Sequence, residues 1–165
     1  RQVRAFLEEN PCAACAEINS LNSRTGFLRR PRPGLGVSLI YASTAGQEGR
    51  FAARLIGNFL KLRGMTVTEI KLRDIGVPAA APADAAEAAR LAEAGLIRLY
   101  DKIEKHVIRL RRQDPNLNIA INATGGYKAE IAILYNLGCK LGIPVYYLHE
   151  TYRVCIQIPV CSPSS

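Results

Sequence analysis

The sequence predicts an α/β fold, a mostly parallel sheet with helices on both faces that closes on an antiparallel strand pair. Short apolar or β-branched runs at residues 37–42, 65–72, 117–122 and 143–148 alternate with longer stretches of helical period. Such alternation implies parallel strands joined by helical crossovers. A turn at residues 150–153 leads from the last of these runs to a further alternating segment, 154–160, and strands joined so tightly can only be antiparallel. The chain has 165 residues, which suits one domain with a sizeable core.

The elements follow in order. Residues 2–20 read as one helix, with Val3, Phe6 and Leu7 on one face and Ala13, Ala14, Ile18 and Leu21 continuing it past Pro11. Residues 22–36 hold Gly26, Pro31, Pro33 and Gly34 and read as a loop. The run 37–42 reads as a buried strand. Residues 46–63 form an amphipathic helix with Phe51, Leu55, Ile56, Phe59, Leu60 and Leu62 inward, closed by Gly64. Thr66, Val67, Thr68 and Ile70 give 65–72 strand character. After a loop at 76–82, Asp84 is placed to cap a long helix to residue 112, with Leu91, Ala94, Ile97, Leu99, Tyr100, Ile103, Val107 and Leu110 inward. The run 117–122 is nearly continuous in apolar character and reads as a central strand covered on both sides. Residues 127–141 return to helical period, with Ile131, Leu134, Tyr135 and Leu141 packing down and Gly142 closing the helix.

Composition narrows the function. Hydrophobic residues make up 48% and charged residues 22%, as in an ordinary globular protein. No apolar run approaches a membrane span and no signal peptide is visible. A cytoplasmic location is the expectation, with membrane association only through a segment outside this chain. The chain starts at Arg1 rather than Met, so truncation at the N-terminus is expected. Net charge is +8 and the pI is about 9.5, which favours polyanionic partners without choosing among them. Arg29, Arg30 and Arg32 form a basic loop that suits solubility as well as ligand capture. Arg109, Arg111 and Arg112 complement the C-terminal end of a helix dipole. The five cysteines are Cys12, Cys15, Cys139, Cys155 and Cys161, an odd number without a disulfide framework. Cys12 and Cys15 have metal-ligand spacing but no second pair, and His106 and His149 are the only histidines. No metal or other cofactor is expected. Glycine fingerprints of dinucleotide sites, the phosphate-loop lysine and the serine-hydrolase elbow are all missing from the sequence.

The residues with the clearest chemistry lie at 119–128, Ile-Ala-Ile-Asn-Ala-Thr-Gly-Gly-Tyr-Lys. A strand, a glycine turn and a helix start meet there. Such a junction presents backbone N–H groups and the positive end of a helix dipole. Glycine permits positive φ and close approach of a ligand. Lys128 puts a cation where a helix prefers an anion, and a broken local rule marks a functional candidate. The expected ligand is an anion, foremost a phosphate. A second loop follows the run 37–42 and carries Ser43, Thr44, Gln47, Glu48 and Arg50. Ligands of open α/β sheets sit at the carboxyl ends of the strands, so both loops belong to the candidate site. Its ligand-binding residues are Ser43, Thr44, Gln47, Arg50, Asn122, Thr124, Gly125, Gly126, Tyr127 and Lys128. Ser43 or Thr44 suits a helix cap equally well, Asn122 a loop-to-loop hydrogen bond, and Tyr127 core packing as well as base stacking. Glu130 suits an ion pair or a solvated position, and a structural role is favoured for His149 and His106.

The segment Asn-Ala-Thr-Gly-Gly-Tyr-Lys-Ala-Glu at 122–130, followed by Gly-Ile-Pro-Val-Tyr-Tyr-Leu-His-Glu at 142–150, resembles the C-terminal half of a CARF domain, the CRISPR-associated Rossmann fold. Ala-Glu-Ile-Asn-Ser-Leu at 16–21 and Tyr-Ala-Ser-Thr-Ala-Gly-Gln-Glu-Gly-Arg at 41–50 resemble earlier segments of such domains, in the right order. The resemblance implies a Rossmann-like sheet within a single domain over residues 1–165. In that family a first strand and a Gly/Ser/Thr-rich loop precede the opening helix, and this chain lacks them. The resemblance further implies a homodimer that binds a cyclic oligoadenylate, foremost cyclic tetra-adenylate, the second messenger of type III CRISPR antiviral defence. Duplex nucleic acid is not an expected partner. Two functions are compatible with it. One is a ring nuclease that cleaves the messenger without metal through attack of a ribose 2′-OH on the adjacent phosphate, with Lys128 as the catalytic candidate by its matching position. The other is a non-catalytic sensor that controls an output domain outside this chain. An unrelated nucleotide-binding Rossmann-like protein is a third reading.

Overall fold

The computed structural model describes the chain except residues 1, 44–47, 74–82, 127, 150 and 160–165, and except the side chains of Ser43, Glu48 and Arg73. The elements run α1 (Gln2–Glu9), α2 (Pro11–Ala14), α3 (Ala16–Thr25), β1 (Gly36–Ser43), α4 (Glu48–Lys61), β2 (Thr66–Arg73), α5 (Ala85–Gln113), β3 (Ile121–Asn122), α6 (Lys128–Leu141), β4 (Val145–Leu148) and β5 (Cys155–Ile158). The fold is α/β, as the alternation of strands and helices predicts. The chain divides into two compact units, residues 27–99 and residues 1–26 with 100–165, and the boundary falls within α5.

In the unit 27–99, β1 and β2 pair in parallel from Gly36 opposite Thr66 to Ser43 opposite Arg73, with α4 as the crossover. Ala53, Phe59 and Leu60 form the buried side of α4. Phe51 and Leu62, assigned inward from the sequence, are 56% and 69% exposed. They lie on the shoulder of the helical stripe, where Phe59 is covered by the Arg63 guanidinium 3.5 Å from its ring centroid. β1 is also less enclosed than expected, since Val37, Leu39 and Tyr41 are half-buried and Ile40 is exposed. Asp84 caps α5 as predicted: its Oδ1 accepts the Glu87 N–H at 2.7 Å, and the Glu87 carboxylate accepts the Ala83 N–H at 2.5 Å. Ile97 in α5 is exposed rather than inward, while Leu99, Ile103 and Val107 are buried.

In the other unit, the predicted opening helix is broken into α1, α2 and α3. Pro11 stands at the start of α2, where its missing N–H and its ring bar a continuous helix. Cys15 is extended, with φ −149° and ψ 118°. The third segment runs on to Thr25 and ends on Gly26 at φ 66°, so residues 22–25, expected as loop, are helix. Of the first segment only Leu7 is buried, and Val3 and Phe6 are exposed.

β3 and β4 pair in parallel, with Ile121 opposite Val145 and Asn122 opposite Tyr146. β4 and β5 pair antiparallel, with Val145 opposite Ile158 and Leu148 opposite Cys155. Their order is β3-β4-β5, so β4 is the central strand, not β3. The strand expected over 117–122 shrinks to two paired residues. Ile121 N donates to Pro144 O at 2.9 Å and Ala123 N to Tyr146 O at 2.8 Å. The preceding rung would need an N–H at position 144, and proline has none. Val145 and Tyr146 point to opposite faces and both are buried, so β4 is covered on both sides. The Arg24 guanidinium of α3 lies 4.9 Å from the Tyr146 ring centroid, which places α3 on that face. Burial pushes the Tyr146 hydroxyl up to about 12 against the opposing effect of Arg24. The predicted Gly142 stop closes α6 at φ 60°.

Candidate anion-binding turn

β3 delivers the chain to the turn Thr124-Gly125-Gly126, and α6 starts at Lys128. Asn122 organises the turn. Its Nδ2 donates to Ser20 Oγ at 2.7 Å and to Glu17 O at 3.3 Å. Its Oδ1 accepts the Thr124 hydroxyl at 2.6 Å and the Thr124 N–H at 3.2 Å. The Thr124 hydroxyl in turn accepts the Leu148 N–H at 3.0 Å. Ser20 is fully buried and donates to Glu17 O at 3.0 Å. This bracket ties α3, β3 and the end of β4 together. It uses the whole hydrogen-bonding capacity of the Asn122 amide. Asn122 and Thr124 therefore shape the turn from behind, and what the turn offers outward is glycine backbone and Lys128.

Gly126 N donates to Ala123 O at 3.3 Å and closes the turn. Neither Gly125 nor Gly126 has a positive φ, so glycine is not required here for the conformational reason the sequence suggests. The reason is space. A side chain on Gly125 would overlap the Glu17 carboxylate. Glu17 takes that flank of the turn, and the exposed remainder of Gly125 is what a ligand can meet. Lys128 is exposed and makes no ion pair among the described residues. The first four N–H groups of an α-helix have no partner within the helix, and the dipole there favours an anion. Glu130 lies in the same first turn and is half-buried.

The Cys15 thiol donates to the Glu17 carboxylate at 3.0 Å. Burial, then the Glu17 charge, push this thiol up to about 12. It stays protonated through the physiological range and is a poor nucleophile and metal ligand. The stability linked to this shift is fully present below the free-thiol value of 9 and is lost as pH rises through about 12. Gly125→Ala should displace the Glu17 carboxylate at a cost of about 1 kcal/mol. The raised thiol should make Cys15 slow to react with iodoacetamide at pH 8.5 in the wild type, and in Gly125→Ala it should react measurably faster by mass spectrometry (alkylation unchanged in Gly125→Ala would contradict the contact).

Of the other predicted residues, Ser43, Thr44, Gln47 and Arg50 fall in the unit 27–99. Ser43 ends β1 opposite Arg73, and its side chain is outside the described set. Thr44, Gln47 and Tyr127 lie outside the described residues. Arg50 is exposed in the first turn of α4. His149, half-buried at the end of β4, is structural: its ring Nδ1 accepts the Tyr152 N–H at 3.4 Å and its carbonyl the Arg153 N–H at 2.7 Å. His106 contacts Arg109 Nη2 through Nδ1 at 2.8 Å, and burial together with Arg109 holds it below its ordinary value. The sequence reading missed Glu17 and Ser20 as parts of the turn. The spacing of three residues puts the two side chains on one helical face, but Asn19, Asn22, Ser23 and Arg24 around them are polar as well, so nothing in the sequence singles them out.

The described residues thus hold a parallel strand, a glycine turn flanked by the Glu17 carboxylate, and a helix that begins at the exposed Lys128, within an α/β fold. The family model described as CRISPR-associated protein (Cas_APE2256) matches residues 12–161. The chain belongs to this CRISPR-associated family. No curated protein matches the chain. Among the described residues no helix is long and apolar enough to cross a membrane.

Proposed function

We propose that the protein binds a cyclic oligoadenylate, foremost cyclic tetra-adenylate, in type III CRISPR defence, and that it does so as a two-fold dimer. The observation that carries this reading is Lys128, exposed and without an ion-pair partner among the described residues, at the first residue of α6 after Gly125 and Gly126. Family membership supplies the CRISPR context. The resemblance of residues 122–130 and 142–150 to CARF domains supplies the ligand class. A ring of two-fold symmetry on a two-fold axis meets one Lys128 and one glycine turn from each protomer. The helix-start amides and the ammonium then neutralise phosphate from both sides. Ser43, Thr44, Gln47, Arg50 and Tyr127 belong to this proposal as contacts to ribose and base.

Cleavage of the ring is the proposed activity at the same turn. A ribose 2′-oxygen attacks the adjacent phosphorus, its proton passes to solvent, and the 5′-oxygen leaves and is protonated. The product carries a cyclic phosphate end. Lys128 would stabilise the charge that builds on the phosphorane oxygens. Incubation of labelled cyclic tetra-adenylate with the protein in EDTA tests both levels. Linear product that disappears in Lys128→Ala supports the ring nuclease. Tight binding with intact ring supports a sensor that controls an output domain. Absence of binding, with a mononucleotide bound instead, would overturn the proposal.

A further inference from the structure

We infer that the turn between β4 and β5 is the base-recognition wall of the same site, with Tyr152 stacking on a ligand nucleobase and Arg153 beside it. This rests on the reading of the Lys128 turn as a ribonucleotide site.

Placement is the first observation. β3 and β4 are parallel, so their carboxyl ends share one edge, where ligands of α/β sheets bind. The Leu148 N–H donates to the Thr124 hydroxyl at 3.0 Å. The chain therefore leaves β4 beside the point where it leaves β3 for the glycine turn.

Chemistry is the second. Tyr152 is 73% exposed, more than any other large hydrophobic side chain among the described residues. Its ring is not loose. It lies 4.8 Å from the His149 ring, centroid to centroid, and His149 lies 6.3 Å from Tyr147. An aromatic face next to a cationic side chain is the recurring means of holding an unpaired nucleotide, because every base has a π-face and every linkage a charge. Arg153 is exposed and supplies that cation.

Pre-organisation is the third. His149 N donates to Val154 O at 2.9 Å, its carbonyl accepts the Arg153 N–H at 2.7 Å, and its Nδ1 accepts the Tyr152 N–H at 3.4 Å. Arg153 has φ 51° and is the one non-glycine residue with positive φ among the described residues. A plain hairpin would carry glycine or asparagine there. Strain of this kind persists where the surroundings fix it, and it collects at binding sites. A rigid turn that presents a ring and a guanidinium pays its ordering entropy before the ligand arrives.

Calorimetric titration with cyclic tetra-adenylate in EDTA tests the inference. Tyr152→Ala should weaken binding about tenfold or more, while Tyr152→Phe, which keeps the ring, should stay within about twofold. Arg153→Gly should raise the melting temperature, because the left-handed conformation suits glycine, and yet weaken binding. Wild-type affinity in Tyr152→Ala, with binding lost in Lys128→Ala, would overturn this inference and leave the Lys128 reading intact. An equal loss in Tyr152→Phe would overturn the stacking role. Failure of the wild type to bind would overturn both readings. Tyr152 is exposed, so unchanged melting temperatures in its variants confirm that the fold is not the cause.

Discussion

Lys128→Ala should lower the proposed affinity for cyclic tetra-adenylate about a hundredfold or more. A hydrogen bond to a charged group contributes about 1.5–3 kcal/mol net. In a two-fold dimer the substitution removes two of them, or about 3–6 kcal/mol, and every 1.4 kcal/mol is a factor of ten. Lys128 is exposed, so solvent screening favours the lower end of that range. Fold stability should not change, because the side chain makes no ion pair among the described residues and a cation at a helix N-terminus is unfavourable to the helix. Lys128→Ala should melt at or slightly above the wild-type temperature. Calorimetric titration and thermal unfolding on the same preparations separate the two effects, and a stability loss equal to the binding loss would deny Lys128 a ligand role.

Asn122→Ala has the opposite signature and destabilises the fold by about 2–4 kcal/mol. Four hydrogen bonds converge on the Asn122 amide, each worth about 1 kcal/mol net, and their loss leaves the buried Ser20 hydroxyl and the Thr124 N–H without that partner. For a chain of this length the melting temperature should fall about 6–12 °C. Ligand affinity should fall too, since the glycine turn is no longer held to α3 and to the end of β4. Asn122→Asp adds a sharper check. It keeps the acceptor toward Thr124 but turns the other oxygen on the Glu17 carbonyl, so it should be less stable than the wild type at pH 7 and recover part of the loss as its carboxyl protonates in acid. A melting temperature unchanged in both variants would show that the bracket does not hold the turn.

The sequence reveals those parts of the fold that depend on local chemistry. Helical period located α4, α5 and α6, and Asp84 located the start of α5 because a cap is a three-residue matter. The breaks around Pro11 and Cys15 were missed because the apolar period runs through them, while the backbone does not. The shortening of β3 depends on Pro144, more than twenty residues away, which cannot complete the ladder. Strand length is a property of the pair, and periodicity within one strand does not carry it. Phe51, Leu62 and Ile97 were misplaced because a helical wheel gives the direction of a stripe but not the width that its partner covers.

The candidate turn was legible as Thr-Gly-Gly before a helix with Lys128, since glycine and a misplaced charge are visible in any sequence. Its support was not. Glu17 and Ser20 reach Gly125 and Asn122 across about a hundred residues, and a single sequence carries no such pairing. The reason for Gly125 also changed, from backbone freedom to the room that Glu17 takes.

The most direct measurement is the stoichiometry of cyclic tetra-adenylate binding, by calorimetric titration in EDTA together with the mass of the complex in solution. One ring per two chains is the expected result, with affinity that falls steeply as salt rises and is lost in Lys128→Ala. Absence of binding, or a ring bound one per chain with unchanged affinity in Lys128→Ala, would contradict it.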